Sequence, residues 1–229
     1  MKTENKIISA KKQLKVIKSL PKFLKSKSKA LEKQFGLENT KTILTEVIYV
    51  YPQIVRVLPT FNSTMYDSLM IAASKLAALK KGMNAAGIST EEFVKFNIEQ
   101  TRLSSQKIPQ SLRKIGGRIY LSNVMRKILG KVANRISENG WPTKLTNGTK
   151  EDDFIMSLET RNCQMVAFWQ SLGKGDIRPY CTFFNFTSAE ALGIGLRQVS
   201  DIDSGVCKYC FYKKGRVEWP DRINALLIN

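Results

Sequence analysis

The sequence predicts an α+β fold, and two observations predict it. Up to residue 142 the apolar residues recur at helical spacing, whereas beyond residue 153 they alternate along short runs bounded by Gly, Asn and Asp. The expected architecture is a helical N-terminal half packed on a small antiparallel sheet, with short helices in the C-terminal part. A chain of 229 residues, 43% hydrophobic, can bury a substantial core. Its composition divides it into a basic helical extension over 1–37 and a single α+β domain over 38–229.

Ile7, Leu14, Ile17 and Leu20 mark a first helical face, which Pro21 is expected to interrupt before a second short helix over Lys22 to Phe35. The segment Asn39 to Leu58 reads as helical, with Pro52 bending or breaking it. A further helix starts near Ser63 or Thr64 and is expected to stop at Gly82 and Gly87. Ser89-Thr90-Glu91-Glu92 has the spacing of a capping box, in which a hydroxyl and a carboxylate each satisfy an otherwise orphaned N–H. A helix is therefore expected from Thr90 to about Leu103. Ser111 to Ile136 predicts one or two helices interrupted at Gly116-Gly117, and Asn139-Gly140-Trp141-Pro142 closes the helical half.

After a polar loop containing Asn147-Gly148, Phe154, Met156 and Leu158 alternate with Ile155, Ser157 and Glu159 as in a strand. Helices are expected over Gln164 to Leu172 and Ser188 to Leu196. Arg197 to Ile202 and Val206 to Tyr212 then predict a hairpin across Asp203-Ser204-Gly205, followed by a turn at Lys214-Gly215.

The formal net charge is +18. Residues 1 to 33 hold eleven Lys and two Glu, and the rest of the excess is spread along the chain. Helix-turn-helix, zinc-finger and ribonucleoprotein signatures are missing, so a nucleic-acid partner is not expected. No apolar stretch approaches the ~18 residues needed to cross a bilayer, so no membrane span is expected. The basic N-terminus lacks the apolar segment of a signal peptide, because Lys11 and Lys12 follow Ile7-Ile8. The expected location is cytoplasmic.

The sequence has no His, which excludes Ser-His-Asp and Cys-His catalysis and imidazole metal ligation. There is no Gly-x-x-x-x-Gly-Lys phosphate loop, and Gly193-x-Gly195 lacks the rest of a dinucleotide fingerprint. The surviving nucleophiles are the four cysteines, all in the C-terminal part. Cys207-Lys208-Tyr209-Cys210 has redox-dithiol spacing, but on a strand its two thiols point to opposite faces. The intervals of eighteen and twenty-six residues that separate Cys163, Cys181 and Cys207 match no zinc finger or ribbon. Each cysteine taken alone is equally readable as a small buried hydrophobe.

As a set, the C-terminal residues resemble the L-2-amino-thiazoline-4-carboxylic acid hydrolase family. The resemblance runs through Arg161-Asn162-Cys163, Ser171-Leu172-Gly173 and Pro179-Tyr180-Cys181-Thr182-Phe183-Phe184-Asn185-Phe186. It continues through Ala191-Leu192-Gly193-Ile194-Gly195-Leu196-Arg197 and Gly205-Val206-Cys207-Lys208-Tyr209. A more generic likeness covers Leu79 to Gly82 and Gly87 to Glu92. Asn185 stands where the family has an acid, and Cys210 where it often has a basic residue.

The resemblance implies a hydrolase acting on non-peptide carbon–nitrogen bonds, without a cofactor, that opens a small anionic cyclic amidine to a carbamoyl-cysteine. Cys163, Cys181 and Cys207 then become candidate thiols, Asn185 a hydrogen-bond donor to the developing tetrahedral centre, and Arg197 the carboxylate anchor. The pattern is compatible with a homo-oligomer. The architecture is also similar to four-vinyl-reductase-type sensor domains, some of which hold zinc with clustered cysteines. That similarity implies a small-molecule-binding domain without turnover.

Overall fold

The structure is a computed structural model and describes residues 7–61, 63–200, 204–213 and 215–228. It is α+β, with the helices in the N-terminal half and the sheet in the C-terminal part. The chain divides into two compact units, residues 1–93 with 168–175, and residues 94–167 with 176–229. Residue 37 lies well inside the first of them. Among the described residues no helix is long and apolar enough to cross a membrane.

The first unit is helical. It comprises α1 (Ala10–Lys18), α2 (Leu20–Arg56), α3 (Thr64–Ala85) and the start of α4 (Thr90–Gln106). The expected break between the first two helices is present and falls at Ser19, two residues before Pro21. Pro21 sits in the first turn of α2, where its missing N–H costs nothing. The break in α2 falls at Gly36, whose φ of 80° is outside the helical range, and Pro52 lies within the continuing helix. Gly82 likewise does not stop α3, because it is the point of close approach to α2. A Cβ there would lie 2.6 Å from the Ile43 carbonyl oxygen. The stop is Gly87, at φ +74°. The capping box forms as expected, with the Ser89 N–H donating to Glu92 Oε2 at 2.9 Å and the Glu92 N–H to Ser89 Oγ at 3.1 Å.

Asp67 is buried in this unit and accepts hydrogen bonds from the Phe61 N–H at 2.9 Å and Thr60 Oγ1 at 3.0 Å, beside the Lys12 ammonium. Burial alone would raise its pKa. The Lys12 charge and these donors outweigh that and hold the carboxyl below its ordinary range.

The second unit continues α4 and adds α5 (Gln110–Tyr120), α6 (Asn123–Glu138), β1 (Thr143–Asn147), β2 (Met156–Arg161) and the start of α7 (Gln164–Ser171). A short 3-10 helix (Gly175–Tyr180), α8 (Phe183–Leu192), β3 (Gly195–Gln198), β4 (Val206–Tyr212), β5 (Val217–Glu218) and α9 (Asp221–Ile228) follow. The sheet order is β1-β2-β4-β3-β5. Its pairings are antiparallel except β3 with β5. The expected hairpin is present as β3 and β4. Asp201 to Asp203 of its turn, Lys214 of the next turn and Met1 to Lys6 of the basic extension lie outside the described residues.

Elements of the second unit also depart from the sequence expectation. The polar stretch before Gly148 pairs as edge strand β1. The last helix before β3 is α8, which begins at Phe183 because Phe183, Phe186 and Ala189 form its buried side. It ends at Gly193, whose left-handed φ of 65° lets the Ile194 N–H reach back to the Ala189 carbonyl at 3.1 Å and turns the chain into β3. Finally, α5 runs unbroken through Gly116-Gly117, and the interruption falls at Leu121-Ser122, where Ser122 caps α6.

The sheet core gathers Met156, Phe186, Ile194, Leu196, Tyr209 and Phe211 against α8. Glu190 ties this unit together. It accepts both Nε and Nη2 of Arg102 at 2.8 Å, and the Trp219 indole N–H at 3.0 Å.

Gly117 is where α5 meets the end of α8. A Cβ there would lie 2.4 Å from the Leu192 carbonyl oxygen and 2.8 Å from Ile194 Cγ2. At Gly116 it would meet only the mobile end of Leu192, at 3.3 Å. Gly117→Ala is expected to destabilise by about 1–3 kcal/mol through overpacking. Gly116→Ala should be neutral or stabilising by up to about 1 kcal/mol from helix propensity. Urea midpoints followed by circular dichroism check both, and equal shifts would refute this account of the contact.

Candidate functional site

Three of the four cysteines come together at one end of the sheet unit. Cys163 follows the end of β2, where Asn162 takes a positive φ of 48°. The Cys163 carbonyl accepts the Ala167 N–H at 3.0 Å, and its sulfur receives the N–H groups of Met165 and Val166, so it acts as the N-cap of α7. Cys181 is buried between the 3-10 helix and α8. Cys207 is buried on β4 opposite Thr160 of β2. Ionisation of any of the three raises the cost of ionising its neighbours.

Tyr209 lies two residues beyond Cys207 on the same face of β4. Its hydroxyl hydrogen-bonds with the Asn185 side chain, from the first turn of α8, and with the Cys207 thiol. The cation whose charge reaches Cys181 and Cys207 is Arg178, from the 3-10 helix. Beside Cys181 in the chain, Thr182 is 1% exposed and its hydroxyl has no hydrogen-bond partner. A buried orphan hydroxyl costs stability, and such groups concentrate where a ligand or water completes the hydrogen bonding.

Desolvation dominates the electrostatics. Burial pushes the Cys163, Cys181 and Cys207 thiols up, Cys181 far above the ordinary range, and pushes the Tyr209 phenol well up. The helix N–H groups at Cys163, and Arg178 at Cys181 and Cys207, pull the other way and do not win. At neutral pH all three sulfurs therefore carry protons. The cluster is a set of polarisable, weakly acidic S–H groups with one phenol, one amide and one guanidinium, able to give a proton to a basic ligand and then act as a soft nucleophile.

Of the residues singled out from the sequence, the structure brings together Cys163, Cys181, Cys207 and Asn185. It does not bring Arg197 to them. Arg197 pairs across the sheet with Cys210, on the face opposite Cys207, and its Nε lies 3.3 Å from Glu218 Oε2. There it lines a separate open cleft of about 480 Å³. Cys210 sits near Lys208, Asp152 and Asp153, so the two cysteines of the Cys-x-x-Cys do face apart. Among the described residues no set of three or more His, Cys, Asp or Glu side chains is arranged to hold a metal ion.

Sequence reasoning missed Tyr209, Arg178 and Thr182. Tyr209 could have been found, since strand alternation from Cys207 places it on the same face. Nothing in the sequence marks Arg178 or Thr182. No family model, curated protein or solved structure matches the chain.

A buried thiol that keeps its proton while the unfolded chain loses it makes folding less favourable at high pH. That stabilisation is complete below the ordinary thiol value of 9.0 and is lost as pH rises above it. The urea-unfolding free energy is expected to fall above this pH, by up to about 1.4 kcal/mol per pH unit for each such thiol. Cys181→Ala should flatten the decline, and an unchanged slope would refute the raised Cys181 pKa.

Proposed function

We propose that the Cys163–Cys181–Cys207 cluster is the reaction centre of a hydrolase that opens a 2-aminothiazoline-4-carboxylate-like cyclic amidine to a carbamoyl-cysteine. The observation that supports this reading most is the convergence of three thiols from a strand end, a helix start and a central strand with Asn185, the residues on which the family resemblance rests.

The raised thiol pKa fits the chemistry of such a substrate. An amidine nitrogen is basic and takes the proton of Cys163, whose sulfur is left as a thiolate facing the Met165 and Val166 N–H groups. The thiolate adds to the amidine carbon, and Asn185 donates a hydrogen bond to the tetrahedral centre. The bond from that carbon to a ring heteroatom breaks as the heteroatom takes up the proton. Water then adds to the same carbon and the Cys163 sulfur leaves with its proton restored, so the net change is addition of water across the ring. Arg178 takes the role of carboxylate anchor that the resemblance gave to Arg197.

A second reading, a small-molecule-binding domain without turnover, is favoured by one observation. In the free protein every thiol of the cluster is protonated, so none is a standing nucleophile.

Incubation of the reduced protein with L-2-amino-thiazoline-4-carboxylate, followed by mass spectrometry, separates the two. Turnover is expected, with Cys163→Ser lowering kcat by about a hundredfold or more, as loss of an activated nucleophile does. Arg178→Gln should act mainly on KM. Saturable binding without product would establish the second reading, and full activity in Cys163→Ser, Cys181→Ser and Cys207→Ser alike would refute the thiol mechanism.

A further inference from the structure

The outer face of α5 and α6 in the sheet unit has no role in the proposed chemistry. We infer that this face is a peripheral membrane-binding surface, seated on anionic phospholipid, with lipid phosphates entering the basic cleft beside it.

α5 packs inward through Gly117 and Tyr120. At about 100° of turn per residue, Leu112, Ile115 and Ile119 fall on the opposite side of the helix, and all three are exposed. Single exposed apolar residues are ordinary, but three in line opposite the packed face form an amphipathic stripe. The pattern continues after the Leu121-Ser122 turn, where Val124 and Ile128 of α6 are exposed on the side opposite buried Ala133. An aliphatic stripe of this kind can enter a bilayer to a depth of about 5–10 Å, at the boundary between headgroups and acyl chains.

Charge selects the occupant. Residues 107 to 137 contain eight Lys and Arg and no Asp or Glu. Lys114, Arg118, Arg126 and Lys213 line a cleft of about 700 Å³, and among the described residues its lining includes no acidic side chain. Arg126 is held over it by Asn123, by Asn147 Oδ1 at 3.1 Å and by the Ile155 carbonyl at 3.2 Å, and its buried Nε has no hydrogen-bond partner. The N-cap of α6, Ser122, and its first residue, Asn123, also line the cleft, which places the positive end of that helix beside the cations. Leu121, Ile155 and Ile194 give it an apolar floor. An oxyanion with an attached hydrocarbon body is complementary to all of this, and a bilayer presents many of them next to the medium that the stripe would enter. A second copy of the chain would bring like charges together. Single-stranded nucleic acid calls for aromatic stacking platforms, and the exposed stripe is entirely aliphatic.

The test is sedimentation of the full chain with vesicles of phosphatidylglycerol and phosphatidylcholine in equal parts, against phosphatidylcholine alone. Binding is expected only to the anionic vesicles, and it should weaken with salt as the Debye length falls below about 10 Å. The eleven Lys of residues 1 to 33 could also attract such vesicles, so the apolar substitutions decide. Ile115→Asp with Ile119→Asp should weaken binding at least about tenfold, because apolar insertion is lost. Lys114→Gln with Arg118→Gln should cost about fivefold for each cation. Both apolar sites are exposed, so the helix content should hold, and if circular dichroism shows loss, Ile115→Gln with Ile119→Gln replaces the Asp pair. Equal binding to neutral vesicles, absence of binding at low salt, or anionic-vesicle binding unaffected by the apolar substitutions would overturn the proposal. A dimer in sedimentation velocity that the same substitutions dissociate would overturn it in favour of a second copy of the chain.

Discussion

The alternation of side chains along β4 is the constraint on which the sheet unit depends. β4 is the central strand, paired with β2 on one side and β3 on the other, so its register is fixed twice. Cys207, Tyr209 and Phe211 therefore share the face that packs under α8, while Lys208, Cys210 and Tyr212 share the other. A slip of one residue would exchange the faces, putting Lys208 into the core and taking Cys207 away from Cys181. The same register that buries Phe211 thus assembles the thiol cluster. Core and candidate site are one structural decision, and the site cannot be lost by a change in β4 pairing without loss of the core.

Within the cluster, two effects compete at every sulfur. A helix N-terminus at Cys163 and a guanidinium near Cys181 and Cys207 are the features that lower a thiol pKa in reactive cysteines. Here burial outweighs both, and the sulfurs add mutual repulsion because ionising one opposes ionising the next. Three neutral thiols near a buried phenol are tolerated where three thiolates would not be. With their protons held, none of the three is a standing nucleophile, and the proposed chemistry relies on a ligand that brings its own base. Under the proposed function a cyclic amidine supplies that base, whereas an ester or amide would not remove the first proton.

The elements legible in the sequence are those fixed by local hydrogen bonding or strict alternation. The capping box at Ser89 and Glu92 and strand β4 are of this kind, because their signals lie in neighbouring residues. The misread elements were decided by packing. Gly82 and Gly117 look like helix stops, yet each is glycine because another backbone passes within reach of where a Cβ would be. Pro21 looks like a terminator and is a starter, since a missing N–H is harmless in the first turn. β1 has only Leu145 as an apolar signal, so its pairing with β2 makes it a strand and its own composition does not. In the candidate site the thiols and Asn185 could be read as a pattern. Arg178 could not, because only the path of the 3-10 helix brings it near the sulfurs.

The cations of the second unit fall into separate groups, and the geometry of β4 keeps them apart. Cys207 is near the start of that strand and Lys213 follows its end, six residues on. At about 3.3 Å per residue they are about 20 Å apart. A small ring carrying one carboxylate cannot reach from the thiols to the cleft that Lys213 and Arg126 line. Arg197 is excluded by direction, since it projects from the opposite face of the sheet. Under the proposed function, the cation assigned to an anionic substrate at the sulfurs is Arg178, whose charge reaches Cys181 and Cys207. The larger concentration of positive charge around α5 and α6 is too distant to orient the substrate, so it calls for a partner of its own that is extended, anionic and partly apolar.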